Sequence, residues 1–412
     1  MTGKGFRLIV ILLITALTQS LTYAQKTEEQ NKKEEKPAYI FATKYEAKRT
    51  PVKNQYKTSA CWCFSTISFL ESEFIRQKSE EIDLSEMFIV RHAFLQKANN
   101  YIRLHGKTNF GRGWLNHNVI DIIRRYGIVP ENVYTGNPVY QNKPNHEEMA
   151  AVLKAMLDAI LKRSGSSFKE RSLAVTPKWK KAFEAVLDAY LGRLPETFHY
   201  KGRQYTPKSF ASDYLKLNPD DYIELTSYTH HPFYQKFRLE IPDNYGCDCG
   251  DNYYNVPIDE LERSVDSAIK NGFSIVFAGD TSERDYSGTK TGYGIVPLKE
   301  WEDKTKQEKD EKIVEPVKEK EITQQMRQEN FDNFTTTDDH SMHIVGIAYD
   351  QNGTKFYLAK DSFGTDRKNK GYVYLSRSYF RLKTVAVMIN KRSLPSDIAN
   401  KLDLIVQNKM TK

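Results

Sequence analysis

Three segments of this 412-residue chain carry side chains suited to nucleophilic chemistry. The first runs Asn54-Gln55-Tyr56-Lys57-Thr58-Ser59-Ala60-Cys61-Trp62-Cys63, ahead of a helical-looking stretch from Thr66 to Gln77. A thiol at a helix start feels the positive end of the helix dipole, which lowers its pKa and favours the thiolate. A lone cysteine is more often an inert core residue. Gln55, six residues upstream, sets Cys61 apart, because a side-chain amide and the Cys61 N–H together form an oxyanion hole.

A thiolate nucleophile needs a base, and the base needs an orienting partner. His340-Ser341-Met342-His343 opens a strand-like run, and Lys360-Asp361-Ser362-Phe363-Gly364 follows a turn later. Adjacent antiparallel strands bring His340 and Asp361 side by side. His340 and His343 differ by an odd step, so in a strand they face opposite sides, and only one can meet Cys61.

These residues need a scaffold of two kinds. Met149, Val152, Leu153, Met156, Leu157, Ile160 and Leu161 step by three and four, as do Trp179, Ala182, Phe183, Val186, Leu187 and Tyr190. Both sets predict amphipathic helices inside a helical block from about 145 to 220. From Tyr222 onward the chain reads as strands: Phe237 to Ile241, Ser274 to Ala278, Ile344 to Tyr349, Lys355 to Lys360, Gly371 to Leu375 and Thr384 to Ile389. Between Lys299 and Glu321 sixteen of 23 residues are charged, which reads as a solvated surface insertion. The class expected is α+β, with helices first and an antiparallel sheet after.

With Gln55, Cys61-Trp62, His340 and Asp361 in that order, the chain resembles the papain-like cysteine peptidases, and within them the bleomycin hydrolase and aminopeptidase C branch. Leu84-Ser85-Glu86, Tyr126-Gly127-Ile128, the segments 191–198 and 254–259, and Leu394-Pro395 before a helical tail carry the likeness from about Phe41 to Leu404. The resemblance implies a papain-like fold with a helical left part and an antiparallel β right part. Cys61 is then the nucleophile, His340 the base, Asp361 its orienting partner and Gln55 the oxyanion donor. Gly113 and Trp62 become substrate-binding positions. No cofactor or metal is implied. Peptides are the substrates, and a ring-like homohexamer is the assembly of similar proteins.

Two departures from that family matter. Asp361 stands where the family has Asn, with Phe363 where a Trp shields the hydrogen bond. An ionised Asp361 stabilises the imidazolium more than an amide does and raises the His340 pKa. Arg112 replaces a Gly beside Gly113, which threatens access of the substrate backbone.

The ends and the composition bound the rest. Lys4 and Arg7 precede the apolar run Leu8 to Leu17 and then Thr18 to Ala24, the layout of a signal peptide 1–24. Its removal takes the net charge from +8 to +6. Ten apolar residues cannot cross ~30 Å of hydrocarbon, so no stable membrane insertion is expected. Residues 25–37 hold eight charges in thirteen and read as a flexible leader, followed by the peptidase domain 38–412. The expected location is periplasmic or secreted. The well-mixed charge argues against a nucleic-acid partner. Cys63 reads as core. Cys247-Asp248-Cys249 reads as a strained bridge or a solvent-facing thiol pair, and His230-His231 nearby is only suggestive, so no metal site is expected.

The tail decides the mode of action. Pro395-Ser396-Asp397-Ile398 signals a helix start, and Ile398, Leu402 and Ile405 share one face. In the similar family a C-terminal arm, here about 390–412, fills the groove and its carboxylate meets the substrate amine. That implies an exported cysteine aminopeptidase. The alternatives are an endopeptidase with an open groove and a catalytically weakened papain-fold peptide-binding protein.

Overall fold

The structure, a computed structural model, describes residues 38–136, 143–164, 175–246, 250, 252–299, 301–310, 313 and 315–404. Helices α1 (Cys61–Lys78), α2 (Glu86–Arg103), α3 (Asn116–Tyr126), α4 (Glu147–Ser164) and α5 (Lys178–Leu191) come first, after the strand β1 (Ala42–Glu46). The sheet follows: β2 (Tyr222–Thr226), β3 (Ile275–Gly279), β4 (His340–Tyr349), β5 (Lys355–Lys360), β6 (Tyr372–Ser376) and β7 (Thr384–Asn390). Helix α6 (Ile258–Lys270) precedes β3, and α7 (Ser396–Lys401) closes the described chain. The α+β expectation holds, with a papain-like arrangement.

The central strands run β2-β7-β3-β4-β5-β6, each pair antiparallel, and β1 pairs with β4. Alternation along each strand divides the sheet between two cores. Ile275 and Phe277 of β3, with Val387 and Ile389 of β7, face a core closed by Leu261 and Val265 of α6 and by Ile398 and Leu402 of the tail. Val276, Val385, Ala386 and Met388 face the other way and join the helical core of Trp62, Phe69, Phe88, Val119 and Phe183. The strands that end at the cleft are therefore gripped from both faces.

The two amphipathic patterns form α4 and α5, packed on α2. The block they mark also holds a hairpin, Phe198–Tyr200 with Arg203–Tyr205, so it is not purely helical. α2 was not legible as a helix by period, since Arg91, His92, Lys97 and Asn100 are buried with its apolar residues. Ser85 caps it, its Oγ accepting from Phe88 N at 3.1 Å. The strand expected over Phe237 to Ile241 shrinks to Lys236–Phe237, because Pro242 starts a 3₁₀ turn and removes a ladder donor. In the charged stretch only Lys306–Asp310 is helical among the described residues, and Glu319 departs from solvent to accept from Val296 N and Ser376 Oγ. Gly127 ends α3 at φ 82°, where a Cβ would lie 2.2 Å from the Pro207 backbone. The leader 1–37 and the arm tip 405–412 lie outside the described residues.

Candidate active site

Cys61 is the first residue of α1, whose N-terminus has no side-chain cap. The thiol sits at the positive helix end, where unsatisfied N–H groups face outward. Ser65, one turn on, donates to the Cys61 carbonyl at 2.8 Å and meets Ser341 Oγ at 2.7 Å. One further turn along, Ser68 Oγ lies 2.8 Å from His343 Nδ1. This polar seam fixes the slide of α1 along β4, and so fixes Cys61 against the start of that strand.

His340 is the first residue of β4. His343 pairs with Lys360 of β5, and continuing that register puts Asp361 opposite Met342, one side-chain period from His340. His340 Nε2 and Asp361 Oδ1 are 2.9 Å apart, and the Cys61 sulfur lies near enough to act on the imidazole's charge. Burial works against a charge on His340. The Asp361 carboxylate and the Cys61 sulfur outweigh it and hold the imidazolium well above the ordinary histidine range. Ser362 N also donates to Asp361 Oδ1, at 2.8 Å.

The second oxygen of Asp361 faces Arg367, whose Nη1 is 3.7 Å away. The Arg367 guanidinium lies 3.8 Å from the Phe363 ring centre, and Phe363 stacks on His340 at 5.4 Å and 16°. A layered arrangement of guanidinium, phenyl and imidazole thus accompanies the carboxylate that replaces an amide. Phe363 covers the ring as the family's Trp does, and Arg367 offsets the extra negative charge. Sequence reading missed Arg367, although a cation six residues after an unexpected Asp was the available signal.

Gln55 is buried, and its Oε1 accepts from Ser362 Oγ at 2.7 Å. That leaves the amide's N–H groups as its donors in the cavity that Gln55, Cys61 and His340 line. The cavity holds about 330 Å³. Trp62 and Gly113 line it too. Trp62 Nε1 donates to the Arg112 carbonyl at 3.4 Å, and a Cβ at Gly113 would meet nothing within 4 Å, so that glycine borders open space. Arg112 does not line the cavity. Its guanidinium turns away to the Lys57 carbonyl at 2.8 Å, which removes the obstruction the sequence suggested.

The other cysteines and histidines separate cleanly. Cys63 is buried and its thiol donates to the Glu86 carbonyl at 3.4 Å; burial pushes its pKa well up. His343 is pushed well below the ordinary range by burial and by Lys360 and Arg49, so it stays neutral. His230 and His231 both turn Nε2 to Glu240, at 3.0 and 2.8 Å. Cys247 and Cys249 lie outside the described residues. The cavity also contains Glu224, Asp243 and Asp338, which no motif pointed to because they come from three separate segments.

A thiol at a bare helix start, a charged imidazole against it and a carboxylate behind, set between a helical half and an antiparallel sheet, define a papain-like cysteine peptidase. The chain belongs to the Peptidase C1-like family, which residues 108–409 match, while residues 37–176 match the papain family cysteine proteases. It is 23% identical over 394 residues to aminopeptidase G of Lactobacillus delbrueckii subsp. lactis, covering 87% of this chain and 84% of that one. Against the bleomycin hydrolase of Gallus gallus the identity is 22% over 403 residues, with 87% and 84% covered. The crystal structure of PepW from Lactobacillus rhamnosis shares the fold, with a TM-score of 0.68 at 19% identity over 88% of this chain and 84% of that one.

Proposed function

We propose that this cysteine peptidase is an exported aminopeptidase in which Cys61, His340, Asp361 and Gln55 carry the reaction. The observation that bears most weight is His340 held between Cys61 and Asp361 at the wall of an open cavity. The Cys61 thiolate attacks the peptide carbonyl carbon. A C–S bond forms, and the Gln55 amide with the Cys61 N–H receives the oxyanion. The imidazolium of His340 gives its proton to the leaving amine as the C–N bond breaks. Water then attacks the thioester with His340 as base; the C–S bond breaks, the acid leaves, and the thiolate–imidazolium pair is restored. Asp361 keeps the ring oriented throughout.

Relatives named aminopeptidase G and aminopeptidase W support removal of N-terminal residues. Export rests on the charged start, apolar run and small residues of positions 1–24, and the ring-like homohexamer on the family resemblance. The test is labelling by a peptidyl epoxide or vinyl sulfone. Label on Cys61 that is lost in His340→Ala supports the reading, and equal labelling of both proteins defeats it. N-terminal sequencing of the exported protein should begin at Gln25.

A further inference from the structure

One end of the catalytic cavity gathers three carboxylates; Glu224 is met by His117 and Tyr253 and Asp243 by Asn109, which leaves Asp338 without a partner among the described residues. Glu224 of β2 is 3% exposed, and its Oε2 is 2.7 Å from His117 Nδ1. Asp243 accepts from Asn109 Nδ2 at 2.9 Å. Asp338, two residues before His340, accepts no hydrogen bond among the described residues. Burial, then the charges of Asp243, Glu224 and Asp339, push its carboxyl up to about 8. Asp339 belongs elsewhere, since its oxygens are taken by the backbone N–H groups of Thr281 and Ser282. The ammonium of Lys97 bears on Asp243 but is spent on the carbonyls of Gly111 and Gly113.

A second observation concerns donors. Asn116, 2% exposed, lines the same cavity, and its Nδ2 has no acceptor among the described residues. Its Oδ1 is occupied by Ser341 Oγ at 2.9 Å, so the amide cannot satisfy itself by rotating. Trp114, also buried and also in the cavity wall, has an unpartnered Nε1. Buried polar groups are paired in folded proteins, and an unpaired set beside a catalytic thiol marks ligand positions. Unpaired carboxylate and unpaired N–H in one cavity call for a ligand that carries a positive charge and, a few bonds away, a carbonyl oxygen. An aminoacyl group has both.

We propose that Glu224, Asp243 and Asp338 form a cation-binding subsite of the catalytic cavity, which holds an ammonium or guanidinium group of the substrate while Asn116 and Trp114 hold an oxygen of its backbone. The inference rests on the peptidase reading above and makes a side chain of the cleft, instead of a chain terminus, the anchor of the charge. Asp338, two residues before the base on the approach to β4, ties the position of the bound charge to the position of His340. Burial, with the neighbouring carboxylates, holds Asp338 partly protonated, so capture of a cation there releases a proton.

The cation has two sources, the α-ammonium of an N-terminal residue and the side chain of Lys or Arg. The test compares kcat/KM for alanyl-nitroanilide, its N-acetyl derivative and N-acetyl-lysyl-nitroanilide in the full chain and in Asp338→Asn. The ratio of free to acetylated alanyl substrate should fall roughly ten- to hundredfold, the size of one lost charge-assisted contact. A fall confined to the lysyl substrate relative to the acetylated alanyl one assigns the same subsite to a basic side chain. If both ratios stay within about threefold of wild type, the subsite is overturned while the peptidase reading stands. If the wild type cleaves none of the three, both fall together. Glu224→Gln, which keeps the bond to His117, serves as the second variant should Asp338→Asn not fold.

Discussion

His340 and His343 lie three residues apart on β4, are both buried, and both touch side chains of α1. Around His343 the neighbours are Ser68, Lys360 and Arg49, and the ring is held neutral. Around His340 they are Asp361 and Cys61, and the ring is held charged. The wider surroundings differ in the same way. Behind His343, Lys360 donates to Ser68 and Thr50, Thr50 to Glu71, and Lys53 bridges Glu71, Glu86 and Asp83. That network stitches the sheet to α1 and α2, although His343 Nε2 keeps no partner among the described residues. At His340 the polar groups run out into a cavity, where Asp338, Asn116 and Trp114 keep unpaired atoms. Burial and residue type are shared by the two sites. The sign of the neighbouring charge and access to open space separate the histidine proposed as the base from the one that holds structure.

The comparison breaks if the two histidines can be exchanged in their effects. His340→Ala should cut peptide hydrolysis by about three orders of magnitude or more, with thermal stability little changed, whereas His343→Gln should cost less than about tenfold in turnover. Steady-state kinetics beside a melting curve for each variant checks this, and equal losses of turnover would erase the distinction. Gln55→Ala should lower kcat by about two to three orders of magnitude. A loss under about threefold would leave the oxyanion to the backbone alone.

The pH–rate profile sharpens the electrostatic half of the comparison. Asp361 raises the His340 pKa, so Asp361→Asn should move the basic limb downward. Arg367 opposes Asp361, so Arg367→Met should move the same limb upward. Each shift should be about one pH unit, and shifts of the same sign would refute the pairing. The smallest effect belongs to His343. Its folded pKa lies below its unfolded one, so the unfolded chain binds more protons and stability falls as pH drops below about 6.5. His343→Gln should flatten that acid-side loss by up to about 1.4 kcal/mol per pH unit, read from denaturant titrations at two pH values.

Much of the site was legible because its residues sit at element ends. Cys61 heads a helix, and His340 and Asp361 lie near the matched ends of two strands, so strand pairing allowed the last two to meet and the family resemblance joined them to Cys61. The parity of His340 and His343 likewise followed from the strand period. Arg367 was invisible for the opposite reason. It reaches Asp361 from the loop that follows β5, and loop geometry is not written in any period. Glu224, Asp243 and Asp338 come from a strand, a 3₁₀ turn and the approach to β4, so only the folded chain collects them. In the scaffold, α4 and α5 were clear because each has one wet face. α2 was not, because polar residues on nearly every side of it are buried.

The seam of Ser65 with Ser341 and Ser68 with His343 makes turnover a gauge of alignment. Nucleophile and base belong to different halves of the molecule, and each half has its own core. A slip of about 1 Å between α1 and β4 would misplace the reacting pair and cost on the order of a hundredfold in rate, while both cores stayed packed. Rising urea should therefore silence the enzyme before circular dichroism or fluorescence reports any melting. Conversely, whatever clamps the two halves together, a bound peptide above all, should widen the range of urea over which the enzyme keeps working.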